Sequence, residues 1–462
     1  MSTLITGGTI VTASDTARAD LYIEDDTITL IGANLDQPAD EVIDATGMYV
    51  MPGAIDMHTH LSMPFGGTIT ADDFESGTKA AAAGGTTTVI DFAIQPNGAS
   101  LAETLDIWHE KAAGKAVIDY GFHIAVTDLT DAVLAEVPAI VAGGVPSIKC
   151  FMAYKGALMV DDGTLLRLLQ TARESGGLVM VHAENGDAID VLTRQLLDAG
   201  KTAPRFHGVS RPPVVEAEAT GRAIDLARLA GSPLYVVHVT CAEALSRIQE
   251  AQARGEPVMA ETCTHYLVLD ETALASPGFD GAKYVCSPPL RDRSNQAALW
   301  AGLRTGALRV VSSDHCSFNL AGQKELGKDN FALIPNGLAG IEERVMLLYS
   351  EGVRAGRLDL NRFVDVVSTA PARIFGLYPA KGTIAVGSDA DIVVFDPNRE
   401  RSFSVRHQHQ RLDHNAFEGI AVSGAPSVVL SRGRILVRDN AFVGDIGAGR
   451  FLKRSRFVPA VA

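Results

Sequence analysis

The sequence predicts an α/β protein, a (β/α)8 TIM barrel with a small β-sandwich domain built from both chain ends. Apolar strand segments alternate with amphipathic helical segments from Gly53 onward, eight such pairs can be counted, and short alternating β segments precede and follow them. Alternation of strand and helix is typical of parallel sheets, and eight units match a closed barrel. We therefore assign residues 1–52 and 379–462 to the β-sandwich domain and residues 53–378 to the barrel.

Composition restricts the class of protein and its partners. The chain has 462 residues, of which 47% are hydrophobic, and a formal net charge of -15. Such a chain buries a large core, and its acidity argues against nucleic acid and anionic membranes as partners. Its five cysteines show no Cys-x-x-Cys spacing, and no run of eighteen apolar residues or secretory leader is visible. We expect a cytoplasmic protein in a reducing compartment.

The individual elements follow from local patterning. Short alternating runs with Gly, Asp and Thr turns predict N-terminal strands at residues 4–12, 21–24, 27–31 and 41–43. Barrel strands are predicted at residues 54–57, 86–92, 120–126, 147–153, 178–183, 234–239, 258–265 and 309–314. Helices are expected to follow them at residues 72–83, 101–113, 131–141, 163–174, 214–229, 242–254, 296–303 and 342–349.

The C-terminal region returns to β patterning after a helix at about residues 360–375. Residues 381–397 and 427–437 alternate as an exposed sheet does, and we expect them to pair with the N-terminal strands. The basic and aromatic tail FLKRSRF, residues 451–457, leaves two interpretations open: an arm that packs on a neighbouring subunit, or a solvated terminus.

The first barrel strand runs into two histidines. His58 and His60 are separated by one residue, and side chains at i and i+2 of a strand point the same way. Imidazole is a ligand that Zn²⁺ accepts readily. The pair therefore predicts one metal site at the end of this strand.

Further ligand-type residues stand at the ends of other barrel strands, where active sites of such barrels lie. Besides His58 and His60, these residues are Lys149, His182, His238 and Asp314. A catalytic zinc takes about three protein ligands, so this set exceeds what one ion needs. The sequence therefore favours two metal ions.

Lys149 lies between apolar residues in PSIKCFMAY. Burial disfavours an ammonium, which would also repel metal ions, and favours the neutral amine. A neutral amine can attack a carbonyl as a Schiff base, or it can react with carbon dioxide to give an anionic carbamate that bridges two cations. The residues alone leave both chemistries open.

Several stretches together resemble a known family: PGAIDMHTHLSMPFGGT (52–68), AGGTTTVIDFA (83–93), IKCFMAYKG (148–156), VMVHAENGD (179–187), SRPPVVEAEA (210–219), VVHVTC (236–241), ETCTHYL (261–267), CSPPLR (286–291), SSDHCSF (312–318), PNGLAGIEER (335–344) and KGTIAVGSDADIVVFD (381–396). The chain resembles the cyclic amidohydrolases of the amidohydrolase superfamily, most closely the bacterial dihydropyrimidinases and D-hydantoinases. The stretches span nearly the whole chain in the family's order.

The resemblance implies two divalent metal ions, most often Zn²⁺, with Mn²⁺ or Co²⁺ as alternatives. Lys149 matches the lysine that carbon dioxide converts to N6-carboxylysine, bridging both ions. His58, His60 and Asp314 would complete one metal site, and His182 and His238 the other. A hydroxide between the ions is then the nucleophile, and Asp314 carries its proton to the leaving nitrogen.

The resemblance also implies how substrate is held. Tyr154 would donate its hydroxyl to the developing oxyanion, and backbone groups of Ser287 and Asn336 would hold the amide edge of the ring. Apolar residues of the loops after strands one and four would meet the exocyclic substituent: Met63, Phe65, Phe151, Leu158 and Met159.

The implied reaction is hydrolytic ring opening of cyclic diamides. 5,6-Dihydrouracil would give N-carbamoyl-β-alanine, a step of pyrimidine degradation, and 5-substituted hydantoins would give N-carbamoyl D-amino acids. Alternatives are an allantoinase and a non-catalytic, dihydropyrimidinase-like scaffold. The full ligand set argues against the scaffold, and the CSPPLR and PNGLAG segments argue against the allantoinase. The resemblance also implies a homotetramer.

Four other histidines are not expected to bind metal. His407 and His409 repeat the His-x-His spacing but lie in a polar connection far from any barrel strand end. His315 is turned away from Asp314 by strand alternation. For His315 and for His265, we expect roles in packing or in supporting the site.

Overall fold

The computed structural model describes residues 2–458. The N-terminal strands are β1 (Ser2–Thr6), β2 (Thr9–Val11), β3 (Thr16–Arg18), β4 (Asp20–Glu24), β5 (Thr27–Gly32), β6 (Glu41–Asp44) and β7 (Tyr49–Pro52). The barrel region then contains β8 (Ala54–Thr59), β9 (Pro64–Phe65), β10 (Thr68–Ile69), α1 (Phe74–Ala83), β11 (Thr86–Ile94), α2 (Leu101–Ala112), β12 (Asp119–Ala125), α3 (Asp131–Ala142), β13 (Ser147–Phe151), α4 (Asp162–Ser175), β14 (Leu178–His182), α5 (Gly186–Asp198), α6 (Arg205–Val209), α7 (Pro213–Ala230), β15 (Leu234–Val236), α8 (Ala242–Ala253), β16 (Val258–Cys263), α9 (Thr264–Val268), α10 (Ser294–Thr305) and β17 (Val310–Ser312).

Helical segments and a second group of strands complete the chain. Two helices continue through π-helical turns, Tyr349–Arg354 after α11 (Arg344–Leu348) and Asp365–Thr369 between α12 (Leu360–Val364) and α13 (Ala370–Ile374). The C-terminal strands are β18 (Ile392–Ser402), β19 (Ala421–Ser431), β20 (Arg434–Arg438) and β21 (Ala441–Phe442). Short 3₁₀ turns lie at Glu271–Ala275, Asp280–Tyr284, Lys324–Gly327 and Phe331–Leu333.

The barrel wall consists of parallel strands in the order β8, β11, β12, β13, β14, β15, β16 and β17. The last strand returns to the first, because Thr59 bridges His315 and the His60 N–H donates to the His315 carbonyl at 2.9 Å. The eight predicted strands are thus confirmed, and with them the fold class. Helices α5 and α6 are absent from the sequence prediction. Helix α5 is capped by Asn185, whose side chain accepts from the Ala188 N–H.

The two chain ends meet beside the barrel. β18 pairs antiparallel with β7, placing Ile392 opposite Pro52, in a sheet of order β21-β20-β19-β18-β7-β2-β3. A second sheet has the order β5-β4-β1-β6. Aliphatic side chains from both sheets form one core: Ile5, Leu21, Ile28, Val50, Ile392 and Val394. The pairing of the two β ends is therefore confirmed, while the domain boundaries at residues 52 and 378 stay predictions.

The tail packs on its own barrel, which overturns the interpretation of residues 451–457 as a solvated terminus, while contact with a neighbouring subunit stays a prediction. Phe451 bridges Tyr120 near the start of β12, and its ring stacks on that of Phe122 at 5.5 Å. Arg454 is buried and donates to the Ser147 hydroxyl at 2.8 Å. The aromatic and cationic residues therefore cover the amino-terminal end of the barrel.

The lower part of the barrel interior, next to the tail, is mainly apolar, and one buried histidine, His123, lies between the rings of Phe92 and Phe375. The apolar side chains form one buried cluster: Ile55, Met57, Ile90, Phe92, Leu178, Met180, Tyr235, Val237 and Val310. Within residues 2–458, no helix is long and apolar enough to cross a membrane.

Candidate active site

The predicted site residues come together at the carboxyl-terminal end of the barrel. They line one cavity: His58, His60, Met63, Phe65, Lys149, Phe151, Tyr154, Leu158, His182, His238, Ser287, Asp314 and Asn336. Ile94, Cys316 and Gly337 also line it and are absent from the prediction. Met159 lies outside this cavity, in the adjoining groove, with its sulfur beside Gly186. The expectation that Met159 meets the substituent stays a prediction.

His58, His60 and Asp314 converge on one point. The Nε2 atoms of both histidines lie 3.1 Å from the same oxygen, Asp314 Oδ1. Burial alone raises the pKa of Asp314, but the two histidines outweigh it and hold this pKa well below its usual range. Burial lowers the pKa of His60 to about 4. An ionised carboxylate beside a neutral imidazole is the form in which both groups bind metal.

Irregular backbone conformations orient several of these side chains toward the cavity. β8 carries one extra residue between Asp56 and Thr59 relative to Val89 and Asp91 on β11. This bulge changes the alternation, so that Met57 packs in the lower interior while His58 lines the cavity. His238 and Asp314 have φ values of 39° and 47°. Left-handed conformations at such residues are strained, and they turn the two side chains toward the cavity.

Glu261 orients His58. Its Oε1 accepts from His58 Nδ1 at 2.6 Å, which leaves the Nε2 lone pair on the side of Asp314. Its other oxygen accepts from the Tyr235 hydroxyl at 3.0 Å. Glu261 is fully buried on β16 and is absent from the sequence prediction. A carboxylate inside a strand of mainly apolar residues is the signal that could have identified Glu261 from the sequence.

A second carboxylate orients His182 in the opposite sense. Glu184 Oε2 accepts from His182 Nε2 at 2.7 Å and from Arg211 Nη1 at 2.6 Å. The imidazole therefore keeps Nδ1 free to act as a ligand. Burial lowers the pKa of His182, so the ring is neutral. Glu184 and Arg211 are likewise absent from the prediction, although both lie inside the quoted VMVHAENGD and SRPPVVEAEA stretches.

Lys149 lies in the interior on β13, where alternation with Phe151 places it on the cavity side. Its Nζ atom is 4.7 Å from the ring centre of Phe92 and 5.1 Å from that of Phe151. Burial lowers the pKa of Lys149 to about 8, against the attraction of Asp314. The amine is therefore much easier to deprotonate than an exposed lysine.

Polar groups that face a substrate form a separate cluster. The Asn336 side chain donates to the Ser287 hydroxyl at 3.1 Å, and the Ser287 hydroxyl lies 3.2 Å from His207 Nε2. The Tyr154 hydroxyl contacts Ser287 and Asn336, and burial raises the Tyr154 pKa above its usual range. Tyr154 is therefore held as a protonated hydrogen-bond donor. Its backbone is strained, with φ 66°.

The wall beside Tyr154 is apolar. The rings of Phe65 and Phe151 approach Tyr154 edge-on, with centroids at 5.4 and 6.0 Å. Phe65 comes from the short hairpin β9–β10, and Phe65 packs against Met63 and Cys316. One side of the cavity thus offers metal-ligating groups and hydrogen-bond donors, and the other offers apolar surface.

The donor set fits metal ions. Ligand atoms of His58, His238 and Asp314 lie within 4.8 Å of one another. Among residues 2–458, three imidazole nitrogens are buried without a hydrogen-bond partner: His60 Nδ1, His238 Nδ1 and, on a residue that does not line the cavity, His265 Nε2. Buried imidazole nitrogens without partners are costly in a protein interior unless another group completes them.

Other histidines lie where packing, rather than metal binding, is expected. His315 Nε2 pairs with Asp72 Oδ2 at 3.1 Å, behind the strand ends. His265 stacks closely on Tyr266, with ring centres 4.0 Å apart. His409 pairs with Glu342 at 2.9 Å, outside the cavity. These contacts agree with the expectations for His315, His265 and His409.

Comparisons with known proteins agree with this arrangement. Residues 49–436 match the model of the amidohydrolase family. The chain is 56% identical to a D-hydantoinase of Geobacillus stearothermophilus over 458 residues, 99% of this chain and 97% of the relative. It is 52% identical to a D-hydantoinase of Streptomyces coelicolor, covering 98% of each chain. A crystal structure of dihydropyrimidinase from Brevibacillus agri NCHU1002 matches this structure with a TM-score of 0.98 at 56% sequence identity. The match covers 99% of this chain and 100% of the other chain.

The family model covers the whole barrel and part of both β ends, and the relatives cover almost the entire chain. This chain therefore belongs to the amidohydrolase family, in the group that contains the D-hydantoinases and dihydropyrimidinases.

Proposed function

We propose that this protein hydrolyses the ring of cyclic diamides. Its substrates are 5,6-dihydrouracil, opened to N-carbamoyl-β-alanine, and 5-substituted hydantoins, opened to N-carbamoyl D-amino acids. The observation that carries the proposal is one cavity in which four histidines, Lys149 and Asp314 face the donors of Tyr154, Ser287 and Asn336. The D-hydantoinase and dihydropyrimidinase relatives support the same reaction.

Two divalent metal ions, most often Zn²⁺ and alternatively Mn²⁺ or Co²⁺, complete the site in this proposal. His58, His60 and Asp314 would hold one ion, His182 and His238 the other, and Lys149, carboxylated by carbon dioxide, both. The clustered ligand atoms of His58, His238 and Asp314 and the lowered pKa of Lys149 support this assignment. Bound metal ions polarise the scissile carbonyl and make water a stronger nucleophile at neutral pH.

Asp314 transfers the proton in this mechanism. Its carboxylate is ionised, since the neighbouring histidines keep its pKa well below the usual range. Asp314 Oδ atoms accept a proton from the attacking water and pass it to the ring nitrogen as the C–N bond breaks. The proton lost by the water thus leaves with the ureido product.

Tyr154 and two loop residues orient the ring. The protonated Tyr154 hydroxyl donates to the carbonyl oxygen on which negative charge develops. Ser287 and Asn336 stand on adjacent loops and hold the other amide edge. The substituent at position 5 then lies against the apolar wall of Met63, Phe65, Phe151 and Leu158.

The activity is tested with purified, zinc-supplemented protein and three rings. We expect opening of 5,6-dihydrouracil and 5-phenylhydantoin, and little opening of allantoin, whose polar ureido substituent would be buried against the apolar wall. The ratio of the first two rates identifies the preferred ring. Opening of allantoin alone would reassign the enzyme as an allantoinase, and no opening by metal-replete protein would favour a scaffold.

Assembly as a homotetramer in the cytoplasm is also part of the proposal. Exposed apolar residues on and beside α7 offer contact surface: Val209, Val214 and Leu229. Light scattering of the purified protein measures its oligomeric state, and fractionation of the source cells tests the compartment.

A further inference from the structure

We propose that Lys324 is a positioning residue that holds the two substrate-facing loops in register through their backbone carbonyls. The inference rests on the proposed function, because it concerns how the ring's amide edge is held. Lys324 begins the 3₁₀ turn Lys324–Gly327 in the long loop after β17, and its side chain is completely buried. It does not line the cavity, so it acts through other residues.

The ammonium group is shared between two loops. Lys324 Nζ donates to the Val285 carbonyl at 3.1 Å, just before Ser287. It also donates to the Pro335 carbonyl at 3.2 Å and to the Gly337 carbonyl at 2.9 Å, on either side of Asn336. An ammonium has three donors, and three carbonyls accept them. The side chain is therefore fully committed to these loops.

These bonds set the direction of the peptide groups next to the site. In a trans peptide, the carbonyl and the following N–H point in opposite directions. Because the Pro335 carbonyl points at Lys324, the Asn336 N–H points away from it. The Gly337 N–H donates to the Val285 carbonyl of the other loop at 2.9 Å. Because the Asn336 carbonyl belongs to the same peptide group as this N–H, the Asn336 carbonyl points away from Val285. The polar backbone atoms of Asn336 are thus oriented by Lys324 and Val285.

The other hydrogen bonds described between the loops join neutral groups, and they include the Gly337 N–H bond to the Val285 carbonyl at 2.9 Å. The Asn336 amide donates to the Ser287 hydroxyl at 3.1 Å, a bond between neutral groups. Without the ammonium, buried carbonyl oxygens that now converge on one cation would repel each other and lose a charge-assisted partner. We therefore expect the loops to shift where they hold the ring, with the metal-ligating residues left in place.

Kinetics of zinc-loaded protein test this role. Lys324→Met keeps the length and the apolar stem of the side chain but removes its N–H donors. Lys324→Gln introduces an amide whose N–H groups can still donate to some of the carbonyls. Lys328→Met, an exposed lysine of the same loop, is the matched control. The KM for 5,6-dihydrouracil and for 5-phenylhydantoin, kcat, bound zinc and melting temperature are measured for each.

We expect Lys324→Met to raise KM about tenfold, the factor for one good hydrogen-bonded contact, with kcat within about threefold of wild type. Uniform loss of binding in ground and transition states has this signature. Bound zinc stays at the wild-type level, Lys324→Gln is intermediate, and Lys328→Met matches wild type. If Lys324→Met does not fold, a raised KM with retained kcat in Lys324→Gln carries the same conclusion.

Three results would overturn the inference. If wild type turns over substrate and a folded Lys324→Met or Lys324→Gln variant has an unchanged KM, the positioning role of Lys324 is rejected and the proposed function is unaffected. Loss of zinc together with kcat would mean that Lys324 supports the whole barrel mouth instead. Absence of turnover in zinc-loaded wild type would reject the proposed function, and the substrate role of Lys324 with it.

Discussion

The upper and lower halves of the barrel interior use the same strands in different ways. In the lower half, Leu178 and Met180 alternate regularly and pack with other apolar side chains. In the upper half, the interior is lined with histidines, Lys149 and Asp314, β8 is bulged, and His238 and Asp314 have positive φ values. Strained residues cost about 1–3 kcal/mol each and persist only when surrounding structure holds them.

The lower half of the barrel interior therefore provides stability, and the upper half provides the catalytic site. Apolar burial below offsets the strain and the buried polar groups above. Changes in the upper half should therefore alter activity or metal affinity and leave folding largely intact. Changes in the lower half should do the reverse.

The largest effect is expected from Lys149→Ala. Several kcal/mol of transition-state stabilisation depend on the metal site, so ring opening should fall about a thousandfold or more. Bound metal should fall as well, while the melting temperature of the metal-free variant stays near that of metal-free wild type. Lys155→Ala changes an exposed lysine of the neighbouring loop and should be active. Retained activity in Lys149→Ala would contradict the assignment of the chemistry to the upper half of the barrel interior.

The next largest effect is expected from Tyr154→Phe, which removes one hydroxyl that faces the cavity. Loss of one oxyanion donor should lower kcat by about 10²–10³, with metal content unchanged. Steady-state kinetics and metal analysis separate these quantities. Tyr378→Phe, at an exposed tyrosine, is the control. A change in KM alone would assign Tyr154 to binding rather than to the transition state.

Glu261→Gln should weaken metal binding about 10–100-fold, because a neutral amide orients and polarises His58 less well than the carboxylate. Competition with a chromophoric chelator measures the affinity, and activity should return at saturating metal. Glu250→Gln, on the exposed face of α8, should bind metal as wild type does. Unchanged affinity in Glu261→Gln would show that the hydrogen bond to His58 is dispensable.

Leu178→Ala tests the lower half and should change activity least. Removing a fully packed leucine costs about 2–5 kcal/mol of unfolding free energy, seen as a lower melting temperature. The folded fraction should keep its kcat and metal affinity. Leu30→Ala, at a leucine of β5 that is 40% exposed, should change neither property. A large loss of kcat in Leu178→Ala would mean that the two halves are not separable.

Regular strand alternation made part of the site predictable. Lys149 and His182 face the interior by simple alternation, with Phe151 and Met180 on the same side of their strands. The eight strands and the pairing of the two β ends also follow from patterning and are present. The motifs for Tyr154, Ser287 and Asn336 needed the family resemblance, because loop residues carry no periodicity.

Other features depend on geometry that patterning does not contain. His58 lines the cavity because of a bulge, and His238 because of a left-handed backbone conformation. Glu261 and Glu184 act through hydrogen bonds to residues distant or adjacent in sequence, which only the folded chain reveals. The packing of the tail on its own barrel was not predicted, because its partners, including Tyr120 and Ser147, lie some 300 residues earlier in the chain.

The most direct test of the central claim is a zinc titration of chelator-treated protein, with ring opening of 5,6-dihydrouracil followed at each step. The account predicts no turnover without metal and activity that rises until two ions are bound per chain. Full activity in the metal-free protein, or saturation of activity at one ion, would contradict the two-metal site.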